Sequence, residues 1–172
     1  MRVERINADE AINLYQCMKQ IDKETQFMLY LPDERTFETL KLYEDIQHNY
    51  YVGVKKNDGM IVGYISLHIS NIEKVKHKGY ITTGLMEDYQ QQGFATKMFE
   101  ETIAWARNQG LRRLELTVLT HNNPAISLYE KMGFMIEGIK RESIYMEGLY
   151  HDELYMAKML NKEEPIAEMN IW

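Results

Sequence analysis

Gln90-Gln91-Gln92-Gly93-Phe94-Ala95 follows an apolar run, Tyr80 to Met86, and opens into a long amphipathic stretch, Thr96 to Gln109. The first run reads as a strand and the second as a helix. A small-residue turn between a strand and a helix N-terminus presents several unpaired backbone N–H groups, and the helix dipole adds partial positive charge there. Such a turn is prepared to hold a phosphate or pyrophosphate. Gly93 and Ala95 lack bulk, so a ligand oxygen can approach the main chain closely. Downstream comes a second signal, Asn122-Asn123-Pro124-Ala125-Ile126-Ser127-Leu128-Tyr129, closing with Gly133-Phe134. In this order and spacing the two pieces decide the fold.

Working outward, Met1 to Ile6 reads as a first strand. Asn7 with Glu10 resembles a capping box, and Ile12, Tyr15, Met18 and Ile21 recur at helical spacing. Thr36 is a plausible N-cap for a second helix with Leu40, Tyr43 and Ile46 inward. Tyr51 to Lys55 and Ile61 to Ser70 flank Asn57-Asp58-Gly59, a hairpin signal because primed turns need positive φ. Gly84 inside the fourth strand suggests a bulge. A fifth strand spans Arg113 to Leu119. The next helix takes Pro124 at its first position with Asn123 as N-cap, and runs to about Met132. Phe134 to Tyr145 and Leu149 to Met159 form a closing hairpin around Glu147-Gly148. Residues 161 to 172 are a polar tail. The expected class is α/β of the α+β type, a mixed, mostly antiparallel sheet of six to seven strands flanked by about four helices.

Composition narrows the function. A chain of 172 residues with 45% hydrophobic content suits a single domain over 1–172 with a sizeable core, and no Pro-rich or Gly/Ser-rich linker divides it. A net charge of −6 argues against non-specific nucleic-acid binding. The one cysteine, Cys17, excludes an internal disulfide and suits a reducing compartment. There is no signal-peptide core and no apolar run of about eighteen residues, so a cytoplasmic chain without membrane partners is expected. His68, His77, His121 and His151 lack metal-ligand spacing, and no metal is expected.

The residues resemble the GNAT superfamily of acyl-CoA-dependent N-acyltransferases. The family pattern Arg/Gln-x-x-Gly-x-Gly/Ala is matched by Gln90, Gly93 and Ala95. The later Asn-x-x-Ala-x-x-Leu-Tyr-x-x-x-Gly-Phe pattern is matched by Asn122, Ala125, Leu128, Tyr129, Gly133 and Phe134. The resemblance implies a sheet whose strands four and five splay apart. It implies acetyl-CoA as cosubstrate, with its pyrophosphate on the backbone of Gln90, Gln91, Gln92, Gly93, Phe94, Ala95 and Thr96. The pantetheine arm would pair with strand four near Leu85 and Met86 by β-augmentation. The N–H of Leu85 or Met86 would then face the thioester oxygen as an oxyanion donor. Tyr129 is placed as the acid that protonates the departing CoA sulfur, against the plainer reading of a tyrosine that packs helix on sheet. Asn122 is either a partner of a pantetheine amide or merely the cap of its helix.

The chain departs from its relatives where many carry a strand-four glutamate, because Lys78-Gly79-Tyr80-Ile81 has no carboxylate. Glu24, Glu73 or a water chain could take that proton. Gln90 stands where arginine is more frequent and supplies no charge. The acceptor site would draw on Thr25, Phe27, Tyr30, Glu34, Tyr145 and Tyr150, whose aromatic walls and carboxylates fit a cationic amine. They fit a peptide N-terminus nearly as well, and a homodimer remains an open option. The expected function is transfer of an acetyl group to a primary amine in a ternary complex. The alternative is a non-catalytic acyl-CoA-binding module of the same fold. A dinucleotide enzyme is set aside, because the turn lacks Gly-x-Gly-x-x-Gly.

Overall fold

The computed structural model describes residues 1–36 and 38–160; the tail expected at 161–172 lies outside them. The strands are β1 (Arg2–Arg5), β2 (Tyr50–Lys55), β3 (Ile61–Ile69), β4 (Lys78–Leu85), β5 (Arg113–Leu119), β6 (Met135–Met146) and β7 (Leu149–Met159). The helices are α1 (Ala11–Glu24), α2 (Thr39–His48), α3 (Phe94–Asn108) and α4 (Asn123–Lys131). One seven-stranded sheet runs in the order β1-β2-β3-β4-β5-β7-β6, as the mixed architecture expected from the sequence. Among the described residues its single parallel pair is β4–β5, and every other neighbour is antiparallel.

The sheet is covered on both faces at β2 and β3, while β6 is largely exposed. β2 is buried throughout and β3 is buried from Ile61 to Leu67, as strands covered on both sides are. On one face α3 lays Met98, Phe99, Ile103 and Ala106 inward, and Trp105 stacks on Tyr50 with centroids 4.3 Å apart. On the other, α1 presents Leu14, Cys17, Met18 and Ile21. Two buried charges hold the connections. Lys55 Nζ donates to Glu10 Oε2 and to the Arg5 carbonyl, both at 2.7 Å, which fixes the first turn against β2. Asp22, 2% exposed, takes the Arg35 guanidinium at 2.5 and 3.1 Å.

That ion pair bears on where α2 begins. Thr36 was expected to cap it, but the helix starts at Thr39. Asp22 holds the Arg35 side chain, and the Tyr15 hydroxyl donates to the Arg35 carbonyl at 3.2 Å. The chain is therefore tied to α1 just before the helix can turn.

Gly84 is also corrected. The β3–β4 register is unbroken from Gly63↔Leu85 to Ile69↔Gly79, so no bulge occurs there. The glycine serves packing instead. A Cβ on Gly84 would lie 3.1 and 3.3 Å from Ile21 side-chain carbons and 3.4 Å from the Tyr64 ring. Gly84→Val should therefore cost about 1–3 kcal/mol, the usual range for overpacking. Urea denaturation measures the loss, and Ile21→Ala in the same chain should recover part of it. Equal losses with and without Ile21→Ala would refute the packing role.

Candidate active site

The site is a wedge between β4 and β5. Their parallel pairing consists of Lys78↔Arg113, Gly79↔Leu114 and Tyr80↔Glu115 only. Beyond it β4 stays with β3 to Leu85, while β5 stays with β7 to Leu119. Arg113 anchors the closed end, with Nε on Glu115 at 2.8 Å and a bidentate contact to Glu137 at 2.8 and 2.5 Å. Lys78 Nζ adds a 2.8 Å bond to Glu115. Partial burial raises the Glu115 pKa, but Lys78 and Arg113 outweigh it and hold the group below its ordinary value.

The N–H groups along the wedge follow from parity. Met86 N–H donates to the Val62 carbonyl at 2.9 Å. Bonded positions alternate in an antiparallel ladder, so Gly84 also bonds toward β3 while Thr83 and Leu85 turn their N–H groups toward the wedge. Of the two oxyanion donors considered, Met86 is spent on the sheet and Leu85 is directed at the opening. The Leu85 carbonyl accepts from Gln90 Nε2 at 3.0 Å, so the Gln90 side chain fastens the turn to the end of β4.

The turn itself has Gln91 at φ 58° and Gly93 at φ 82°. Gly93 is the N-cap of α3, and no side chain caps that helix. Lys97 N–H bonds back to the Gly93 carbonyl at 3.1 Å, so Phe94, Ala95 and Thr96 precede the first intrahelical bond. A Cβ built on Gly93 meets nothing within 4 Å, so the ground in front of these N–H groups is open. Gln92 Nε2 bonds the Asp88 carbonyl at 2.9 Å and so braces the turn from behind.

On the other bank, α4 begins at Asn123 and its N-cap is Asn122, not Asn123. The Asn122 Oδ1 accepts from Ala125 N–H at a long 3.4 Å, so the capping reading holds, with the amide Nδ2 not used in that bond. Tyr129 is 8% exposed and sits edge-on to Phe99, 5.6 Å between centroids, with Phe134 at 6.2 Å. Burial pushes its phenol above the ordinary value, and the neighbouring Tyr80 adds to the shift. It is therefore neutral at pH 7 and holds a proton to give. Tyr80, at the strand-four position that lacks a carboxylate, is 40% exposed and its hydroxyl meets Thr117 Oγ1 at 2.8 Å. That bond bridges the two strands at the point where they part.

The proposed bases separate. Glu24 Oε2 accepts from Glu87 N–H at 2.7 Å, next to the end of β4, and Oε1 takes Gln20 Nε2 at 2.8 Å. Glu73 is 2.9 Å from Lys76 on the connection before β4, toward the strand's opposite end. Of the acceptor-site residues, Phe27 reaches His121, 5.4 Å between rings, and His121 meets His151 at 5.2 Å. Tyr30 lies under Arg35, and Glu34 accepts from Leu31 N–H within its own turn. Thr25 caps Phe27 locally, and Tyr145 pairs with Tyr150 at the exposed hairpin tip, 4.9 Å apart. The two histidine rings of this wall were singled out in the sequence only as non-ligands. Among the described residues no group of three or more His, Cys, Asp or Glu could hold a metal ion, and no helix is long and apolar enough to cross a membrane.

Residues 9–134 match the Acetyltransferase (GNAT) family. The chain belongs to that family. It is 31% identical over 103 residues to the L-amino acid N-acetyltransferase AaaT of Escherichia coli, covering 59% of this chain and 64% of that protein. It is 34% identical over 96 residues to the N-alpha-acetyltransferase RimI of Mycobacterium tuberculosis, covering 55% and 57%. These matches thus span less than two thirds of either relative. The fold superposes on a GNAT-family acetyltransferase from Streptococcus pneumoniae with a TM-score of 0.87 and 26% identity, over 93% of this chain and 99% of that one. It also superposes on yncA from Salmonella typhimurium, solved with acetyl-CoA, at a TM-score of 0.82 and 18% identity over 97% and 98%.

If the Gly93 turn takes the pyrophosphate, Gly93→Val should weaken acetyl-CoA binding by at least about tenfold, or ~1.4 kcal/mol. Calorimetry reads the affinity, and circular dichroism checks that α3 survives. Unchanged affinity in a folded variant would move the phosphate elsewhere.

Proposed function

We propose that the protein transfers an acetyl group from acetyl-CoA to a primary amine, either a small cationic amine or a peptide N-terminus, by direct attack in a ternary complex. The carrying observation is the wedge. It has an uncapped helix N-terminus at its mouth, an unpaired strand edge along one wall and a buried tyrosine on the other. A thioester with a pyrophosphate and an amide-bearing arm has the chemistry to match these three features in turn. The N–H groups of Phe94, Ala95 and Thr96 suit the pyrophosphate, and the edge at Thr83 and Leu85 suits the arm.

The reaction forms a C–N bond and breaks a C–S bond. The neutral amine attacks the thioester carbon, and negative charge gathers on the carbonyl oxygen. The Leu85 N–H, held by β4 and by Gln90 on its own carbonyl, supports that charge more than it supports the planar thioester. Collapse expels the CoA thiolate, to which Tyr129 gives its proton, and the proton that the nitrogen sheds on becoming an amide restores the phenol through solvent, so one N–H is exchanged for one S–H. The Asn122 Nδ2 is left to steer an amide carbonyl of the arm. The mouth faced by Phe27, His121 and His151 admits the amine from the α1 side. The relatives named L-amino acid N-acetyltransferase and N-alpha-acetyltransferase support this choice of acceptor class.

The test is thiol release from acetyl-CoA with a panel of polyamines, amino acids, aminoglycosides and peptide N-termini, with products read by mass spectrometry. Binding of CoA without release on any of them would favour the binding module. With a working acceptor, Tyr129→Phe should keep the ring packing and lower kcat by about 10²–10⁴-fold, the usual worth of a positioned acid. KM for acetyl-CoA should change little. Normal turnover in that variant, with chemistry limiting, would remove Tyr129 from the proton transfer.

A further inference from the structure

The wedge suits the thioester but does not account for what the acceptor's positive charge meets on its way in. The approach is on the side of the sheet that α1 covers. Gly84 faces Ile21, and one turn later on the helix Glu24 Oε2 accepts from the Glu87 N–H at 2.7 Å. Residues three apart lie on one face of a helix, so Ile21 and Glu24 both address β4. The last turn of α1 therefore runs along the end of β4, over the stretch that carries the Leu85 N–H. Glu87 is two residues beyond Leu85, at most about 7 Å of extended chain.

From the end of α1 a frame continues around the opening. The chain turns at Thr25, whose hydroxyl accepts from the Phe27 N–H at 3.2 Å, and Phe27 reaches across to His121, 5.4 Å between ring centroids. His121 stands two residues past the end of β5, and its ring meets that of His151 on β7 at 5.2 Å. Counted from the last parallel pair, Tyr80↔Glu115, Leu85 and Thr120 are equally far along the chain. Glu24 and His121 thus flank the opening on its two banks near the Leu85 N–H, and Phe27 joins them. Of the four side chains in this frame Glu24 is the carboxylate. Its other oxygen accepts from Gln20 Nε2 at 2.8 Å, so neutral donors fix both oxygens. A carboxylate can accept about four hydrogen bonds. Among the described residues no Lys, Arg or His is paired with Glu24, and the residue is exposed.

Resting on the acetyltransferase reading, we propose that Glu24 binds the ammonium group of the acceptor and so selects a cationic primary amine. The ammonium donates to the open lone pairs of Glu24, which holds the nitrogen beside the end of β4. The proton that makes the amine neutral leaves to water, to which this bank of the opening is exposed. Phe27 and the two imidazoles offer ring surface to the carbons behind the nitrogen. A purely mechanical Glu24 would only fasten α1 to the end of β4. Glu24→Gln separates the two roles, because the amide oxygen can still accept from the Glu87 N–H while the charge is gone.

The first test needs no known acceptor. The wild-type protein with CoA is titrated with n-butylammonium chloride while the Glu87 amide is followed by NMR. The resonance should shift saturably, and equal additions of sodium chloride should not reproduce that shift. Glu24→Gln, at an unchanged melting temperature, should lose it. With an amine that the panel shows to be acetylated, Glu24→Gln should raise KM for that amine by about tenfold or more, the usual worth of a hydrogen bond to a charged group. Its kcat and its KM for acetyl-CoA should stay nearly unchanged. Added salt should raise the wild-type KM for the amine and affect the variant much less. A wild-type Glu87 amide that ignores butylammonium would overturn the proposal, whatever the fate of the variant. So would a folded Glu24→Gln enzyme with wild-type KM, or one that loses kcat at unchanged KM for the amine. All of these outcomes leave acetyl transfer standing, whereas a wild-type protein that acetylates no amine would overturn the function itself.

Discussion

The parting of β4 from β5 is the constraint on which the rest of the structure depends. Two parallel strands that bonded to their ends would satisfy each other's backbone and leave no edge. Here the closed end is clamped by the Lys78–Glu115–Arg113–Glu137 chain of charges, and the Tyr80–Thr117 bridge marks the point of divergence. Each strand then follows its antiparallel partner, β3 on one side and β7 on the other. The free edge from Thr82 to Leu85 is only half-buried, so its N–H groups stand open to a partner. A ligand that carries amide groups of its own, as the cosubstrate arm proposed above does, has the chemistry to pair with them.

The flanking elements serve that opening. Gly84 gives up a side chain so that Ile21 can press α1 against β4, and Gly53 and Gly63 are likewise crowded by Ile6 and Leu85. On the opposite face, Phe99, Tyr129 and Phe134 form a ring cluster that seats α4 against α3. Tyr129 is thus both packed and placed, and its two readings are compatible. Its ring is held by the cluster, and the single atom left for chemistry is its oxygen.

How much of this was legible in the sequence differs by the range of the interaction. The Gln90 to Ala95 turn and the Asn122 to Phe134 segment are local patterns, and both fell where the spacing put them. Boundaries set by distant contacts did not. Thr36 looked like a cap, but the ties of Arg35 to Asp22 and Tyr15 delayed α2 to Thr39. Gly84 looked like a bulge because a missing side chain signals either a bend or a close neighbour, and only the fold names Ile21. Asn122 and Asn123 differ by one residue, a choice that sequence leaves open until the cap bond is seen. The Asp45–His68 pair was not visible at all, since it joins a helix to a strand across a long stretch of sequence.

The central claim is that the free edge of β4 receives the arm of the cosubstrate, and amide hydrogen exchange followed by NMR tests it residue by residue. Without ligand, the N–H groups of Thr83 and Leu85 should exchange quickly, while Gly84 and Met86, bonded to β3, should be protected. Saturating CoA should slow Thr83 and Leu85 strongly and leave Gly84 and Met86 nearly unchanged, an alternation that only strand pairing on one edge produces. Slowing confined to Phe94, Ala95 and Thr96, with Thr83 and Leu85 unaltered, would mean that the arm lies elsewhere and would contradict the account.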